Sequence, residues 1–247
     1  MKRATWLLAA ALIAAPAAAH AAGPRVAVAV AAPAPAPARA DDTPLPVKSS
    51  RPEISLEVGL RGTLIPNPGF DPYASNDFLL QASAGAGLTV VRMGNASILL
   101  FAEYDGGTRR ATARGQEASL ALHRIGGAAE TRFQLGRRFY LAARVAPAAL
   151  HLRGSITDPT LDRPLVSRNW TWGLDASGGA GLLLGRVGAR GARFWLTLDF
   201  GYRFAGESQM SYAPVASDED PRKYGSVMLP AIRPAGPTSR MTFAVSF

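Results

Sequence analysis

The chain has 247 residues and no cysteine, which excludes a disulfide framework and a thiolate metal site. Its formal net charge is +9, but the basic excess does not indicate a nucleic acid partner, because the N-terminal segment predicts export. Charged residues make up only 18% of the chain and glycine is abundant, yet no apolar run has the length of a membrane-spanning helix. This composition favours apolar residues dispersed along alternating strands.

Residues 1–21 have the three parts of a secretory signal peptide. Lys2 and Arg3 precede an apolar run over 6–15, and small residues surround Ala19 and Ala21. The apolar run is shorter than the roughly 20 residues that a membrane-spanning helix needs. We therefore predict cleavage after Ala21 in a Gram-negative bacterium and exclude these residues from the fold.

Residues 22–52 are rich in proline and alanine. The stretch from Pro33 to Pro37 alternates the two residues and has no apolar period that a core could bury. The sequence predicts a disordered periplasmic segment here, and a peptidoglycan-binding or protein-docking role is the alternative.

Strict alternation begins after Glu53. Ile54, Leu56 and Val58 share one face, while Glu57 and Arg61 share the other. Period-two alternation marks a strand whose faces meet different environments, and full charges of both signs suit the interior of a barrel. The pattern recurs seven times, so the predicted strands lie near 54–64, 80–90, 97–105, 117–133, 139–155, 170–184, 194–204 and 240–247.

The connections between these strands alternate in length. The short ones are 92–96, 134–138 and 186–191, and the long ones are 66–77, 106–116, 157–168 and 206–237. Alternating short turns and long loops are typical of outer-membrane barrels, in which the turns are periplasmic and the loops extracellular. The sequence therefore predicts an all-β fold: an eight-stranded antiparallel up-and-down transmembrane β-barrel over residues 53–247.

Residues 53–247 thus resemble the small eight-stranded outer-membrane barrels of the OmpA/OmpX kind. The last strand is similar to the signal that the barrel-assembly machinery recognises, with apolar residues at alternate positions before a terminal aromatic: Met241, Phe243, Val245 and Phe247. The resemblance implies a place in the bacterial outer membrane, with both termini in the periplasm. Outer-membrane lipid, lipopolysaccharide and the assembly machinery are the expected partners, and no oligomeric state is indicated.

Alternation also predicts which charged side chains face the lumen. Five acids are expected there (Glu57, Glu103, Glu130, Asp175 and Asp199) and five bases (Arg61, Arg132, Arg144, Arg203 and Arg240). A wide ion channel would show a bias of one sign, whereas a narrow barrel needs paired charges, because an unpaired buried charge costs several kcal/mol. We therefore expect a plugged lumen, with a narrow channel for small solutes as the alternative.

Residues for catalysis are sparse. No serine-hydrolase elbow, zinc-binding H-E-x-x-H pair or phosphate-binding loop occurs, and the sequence predicts no catalytic site, metal or cofactor. His151 and Ser155 are spaced to share one strand face, which we predict to be the lumen, but no acid matches their register. The expected function is a non-enzymatic membrane anchor that displays surface loops, and a lipid A-modifying enzyme is the second alternative.

The fourth and fifth predicted strands each change parity along the sequence. Leu120 and Leu122 place even positions outward, whereas Phe133 places odd positions outward. A similar change in the fifth strand predicts two β-bulges, one near Gly126 and Gly127 and one near Pro147.

Overall fold

The structure, a computed structural model, describes residues 53–113, 115–158, 163–188, 191–214 and 227–247. The predicted signal peptide and the Pro/Ala-rich segment lie outside these residues. Within the described part of the chain, no helix is long and apolar enough to cross a membrane.

Eight antiparallel strands close into a ring, which confirms the predicted fold class. Their bounds are β1 (Ile54–Leu64), β2 (Phe78–Met93), β3 (Ala96–Ala113), β4 (Gln116–Gln134), β5 (Phe139–Thr157), β6 (Leu165–Arg186), β7 (Arg193–Ala205) and β10 (Gly236–Ser246). Two short strands, β8 (Ser211–Pro214) and β9 (Val227–Met228), extend the sheet from the start of β6. Strands β1 to β7 pair in chain order, and the last strand, β10, pairs with both β7 and β1.

The barrel wall is apolar outside and polar inside. On β1, for example, Leu56 is 49% exposed, whereas the neighbouring Glu57 is only 4% exposed. Successive side chains of a strand point to opposite faces, so one strand serves two environments. An apolar exterior over a charged interior inverts the arrangement of a water-soluble protein and suits a lipid surrounding.

The predicted bulges near Gly126 and Pro147 are absent, and that prediction was wrong. The β4–β5 register is the same on both sides of this point, because Gly126 pairs with Ala148 and Ala129 pairs with Val145. The ladders to β3 and β6 also run through without a shift. Even positions of β4 and β5 therefore point inward along the whole strand.

It follows that four leucines predicted to face outward lie inside the barrel. Leu120 and Leu122 of β4 and Leu150 and Leu152 of β5 are all buried. Described ladders do shift at Val90 in β2 and at Leu184 in β6, both close to the short turns.

The connections also differ in part from the prediction. Residues 106–116 were predicted as a long loop, but β3 and β4 continue as a paired hairpin as far as Ala113 and Gln116. Gly115, in the turn between them, has φ +81, a conformation that a side chain would strain. The first connection does form a loop, which contains a short 3₁₀ helix at Asp71–Tyr73.

A charge network that fills the barrel interior

The middle of the barrel interior holds twelve buried charged side chains, which we call the charge layer. Ten are the predicted lumen residues, and all ten are at most 9% exposed: Glu57, Arg61, Glu103, Glu130, Arg132, Arg144, Asp175, Asp199, Arg203 and Arg240. The structure adds Asp105 and Arg124, both fully buried. Six acids thus face six arginines among the described residues, so the layer is formally neutral.

Asp175 of β6 joins three arginines on three other strands. Its carboxylate lies 2.6 Å from Arg61 Nη1, 2.8 Å from Arg124 Nε and 2.7 Å from Arg203 Nε. Arg203 Nη1 also contacts Gln81 Oε1 of β2 at 3.4 Å. One carboxylate therefore ties β1, β4 and β7 to β6 across the interior.

A second centre lies around Glu103 of β3. Its Oε1 is 2.9 Å from Arg240 Nη1 and also contacts Arg144, while its Oε2 is 3.0 Å from Arg124 Nη1. Because Arg124 also contacts Asp175, the two centres form one connected network. With Gln81, all eight barrel strands contribute to it.

Arg144 and Arg240 share a second acid, Glu57. Each places a guanidinium nitrogen 3.0 Å from Glu57 Oε1. Arg144 Nη1 also lies 2.5 Å from Glu130 Oε2, and Arg240 Nη2 lies 2.8 Å from Asp199 Oδ2. Buried charges are tolerated when they are paired in this way, and they become costly when one partner is removed.

Two members of the charge layer were missed by the sequence prediction. Asp105 continues the alternation of Glu103 on β3, so the signal was present in the pattern. Arg124 lies in the half of β4 whose faces were assigned the wrong way round. Extending the parity of Glu130 and Arg132 without a break would have placed it inside.

Aromatic rings close the interior on the side of the short turns. Tyr140 and Trp195 meet edge to face, with ring centroids 5.0 Å apart. Arg132 and Arg144 link the aromatic rings to the charge layer, since Arg132 Cζ lies 4.8 Å from the Tyr140 ring and Arg144 Cζ lies 4.5 Å from the Phe101 ring. Cation–π contacts of this kind are favourable where water is excluded.

Glycines on the inner face make room for these rings. A Cβ atom at Gly87 would collide with the ring of Phe101, and one at Gly181 would collide with the ring of Tyr140. Large inward rings and inward glycines therefore occur as matched pairs on neighbouring strands.

An apolar cap closes the interior on the side of the long connections. It combines the four inward leucines of β4 and β5 with residues of the first and last connections and of the adjoining ends of β2 and β7: Ile65, Phe70, Tyr73, Leu79, Leu120, Leu122, Leu150, Leu152, Ala205, Met210, Tyr212 and Ile232. The hydroxyls of Tyr73 and Tyr212 hydrogen bond to each other within it. Burial raises the pKa of both tyrosines, so both hydroxyls keep their protons.

The three layers leave little free volume. A cavity within the charge layer, lined by Arg61, Arg144, Asp175, Asp199 and Arg240 among others, has a volume of about 10 Å³. This is roughly the space that one water molecule needs.

His123 and His151 lie on the outer wall, so the predicted lumen face of His151 was wrong. The ring of His151 is tilted against that of Trp170, with centroids 4.6 Å apart, and is stacked with that of His123 at 6.1 Å. His123 Nδ1 and Tyr104 Oη are hydrogen bonded at 2.7 Å. We call these four residues the outer belt. No group of three or more potential metal ligands occurs among the described residues.

The C-terminal strand closes the ring with its apolar side chains outward. Met241, Phe243 and Phe247 are exposed and Val245 is half-buried. The backbone N–H of Phe247 donates to the Ile54 carbonyl at 2.9 Å, so the last residue completes the pairing with β1.

A closed ring of eight antiparallel strands with an apolar exterior and a filled, charged interior defines a membrane-spanning β-barrel. No protein-family model and no curated protein sequence matches the chain. Among solved structures, it is similar to a major outer membrane protein from Thermus thermophilus, with 10% identity and a TM-score of 0.53 over 78% of this chain and 99% of that one. At this identity the likeness shows the fold alone.

Two further structures are similar over most of their length. The attachment invasion locus protein Ail of Yersinia pestis, in complex with the heparin analogue sucrose octasulfate, has 8% identity and a TM-score of 0.45, covering 79% of this chain and 98% of that one. Neisserial surface protein A has 9% identity and a TM-score of 0.39, covering 79% and 94%.

Proposed function

We propose that the protein is a non-enzymatic outer-membrane barrel that anchors surface loops in the envelope and does not conduct solutes. The observation that carries this proposal is the filled interior, in which the aromatic rings, the charge layer and the apolar cap follow one another along the barrel axis. The apolar exterior supports insertion in lipid.

The orientation belongs to the same proposal. Both ends of the barrel sequence lie beside the short turns, and the long first and last connections lie at the other end. Short turns face the periplasm in outer-membrane barrels, so the termini are periplasmic and the long connections are displayed outside. The loops are then the surface that other molecules meet.

The closed interior favours an anchor over a narrow channel, because conduction would require separation of paired charges. Breaking such a pair in a low-dielectric interior costs several kcal/mol. Refolded protein in a planar bilayer should give no discrete conductance steps, with bilayers exposed to detergent alone as the baseline. Reproducible steps that scale with added protein would contradict the proposal in favour of the channel.

An enzymatic role is tested separately. Expression of the protein should leave the mass spectrum of lipid A unchanged relative to cells that carry the empty vector. A new lipid A species that requires the protein would favour the alternative of a modifying enzyme.

The terminal aromatic gives a prediction about assembly. Phe247→Ser keeps the backbone hydrogen bond to Ile54 but removes the ring that the barrel-assembly machinery is proposed to read. We expect less heat-modifiable protein in the outer membrane, measured on gels with and without boiling. The matched control is Phe139→Ser, which removes an exposed ring at the same end of the barrel but not at the terminus. Equal losses in both variants would contradict a terminal signal.

A further inference from the structure

Two arginines face each other on the outer wall of the barrel. Arg153 of β5 and Arg168 of β6 are direct partners in the antiparallel ladder, and both side chains are exposed. No acid among the described residues forms an ion pair with either of them. The exposed Arg110 of β3, by contrast, lies 3.7 Å from Glu117.

This arrangement costs stability if nothing binds there. Like charges directly opposite each other on neighbouring strands repel, and such pairs are destabilising. The six arginines of the interior all contact carboxylates, whereas Arg153 and Arg168 have no such contact among the described residues. The outer pair leaves two neighbouring guanidinium groups that can share one anion.

The outer belt fixes the level of this pair relative to the lipid. His151 and Trp170 are partners in the same ladder, two residues toward the short turns from Arg153 and Arg168. One such step is about 7 Å along a strand. Tryptophan and tyrosine side chains settle at the boundary between hydrocarbon and headgroups, so the arginine pair lies at the level of the headgroups.

We propose that Arg153 and Arg168 together bind a phosphate group of lipid A in the outer leaflet. A phosphate monoester carries a charge of about −1.5 to −2 at neutral pH, which matches two cations better than a phosphodiester does. Guanidinium groups bind phosphate oxygens through paired N–H donors. The choice of lipid A rests on the proposed orientation, in which the long connections lie on the side of the outer leaflet. Lipid A is the lipid of that leaflet that carries phosphate monoesters.

The test uses phosphatidylcholine vesicles that carry the same lipids in both leaflets, so its outcome does not depend on orientation. Wild-type protein, the double variant Arg153→Gln/Arg168→Gln and the control Arg110→Gln are refolded into them. Arg110 is an exposed arginine on the same side of the barrel, and its ladder partner is Ser119 rather than a second arginine. The vesicles contain bisphosphorylated lipid A, dephosphorylated lipid A, phosphatidylglycerol or no added lipid, and the midpoint of thermal unfolding is measured.

Bisphosphorylated lipid A should raise the midpoint of the wild type and of Arg110→Gln, and the double variant should lose this increase. The single variants Arg153→Gln and Arg168→Gln should each lose part of it, which keeps the test informative if the double variant fails to refold. An equal increase in the double variant would overturn the proposal. An equal increase from dephosphorylated lipid A or from phosphatidylglycerol would also overturn it. None of these outcomes bears on conductance, which tests the proposed function separately.

Discussion

Replacing Arg124 with leucine is expected to lower the free energy of unfolding by about 3–5 kcal/mol, because the substitution leaves buried carboxylates without a counter-charge. Arg124 is fully buried and contacts Glu103 and Asp105 at 3.0 Å and Asp175 at 2.8 Å. Its Nη2 also donates to the Ala146 carbonyl at 3.3 Å, beside Pro147. Urea unfolding in lipid vesicles, followed by tryptophan fluorescence, measures the loss.

The control is Arg110→Leu. Arg110 also lies near an acid, Glu117, but its side chain is 73% exposed. Exposed pairs of this kind contribute only about 0–1 kcal/mol, because water and salt screen them. Similar urea midpoints for the two variants would mean that the interior is hydrated and open, which would also weaken the case against a channel.

Replacing Leu150 with alanine is expected to cost about 2–5 kcal/mol, the range for a buried leucine whose loss leaves a cavity. Leu150 lies on β5 and is fully buried in the apolar cap, which also contains residues of the first and last connections. The same substitution at Leu141, a residue that is 50% exposed, tests the opposite face of the same strand. We expect less than half the loss there, since lipid chains can fill the vacated space.

This comparison tests the register directly. If a bulge near Pro147 reversed the faces of β5, Leu150 would lie outside and the two substitutions would cost similar amounts. A larger loss at Leu141 than at Leu150 would contradict the continuous ladder altogether.

The faces of a strand could be predicted from the sequence wherever one face meets lipid and the other meets the charge layer. On β1 and β7, apolar residues face lipid and charged residues face the interior, so simple alternation assigns both faces. The same rule failed in the halves of β4 and β5 that lie on the side of the long connections. There the inside meets the apolar cap, and the outside carries His123, His151 and Arg153.

The pattern of hydrophobicity therefore reverses along a strand whose geometry does not change. Period-two alternation reports which face is apolar, but not whether the apolar face meets lipid or a plug. Arg124 was missed for this reason. The cap itself could not be predicted, because it depends on residues such as Phe70 and Met210, which come from connections far apart in sequence.

The hairpin of β3 and β4 illustrates a related limit. Residues 106–116 are rich in glycine, threonine and arginine, which favours a loop when the sequence alone is considered. Ladder pairing continues from Gly106 with His123 to Ala113 with Gln116, so backbone hydrogen bonds hold the hairpin without an apolar face.

Ion pairs in the barrel interior hold the first and last strands together where they meet, at the β1–β10 seam. Arg240 of β10 contacts Glu57 of β1 across this seam, but it also contacts Glu103 of β3 and Asp199 of β7. Lateral opening between β1 and β10 would thus break contacts that reach well beyond the two strands that part. The seam should consequently close late in folding, once the partners of Arg240 are in place. The closed wall should also provide no lateral opening through which lipids could enter the barrel.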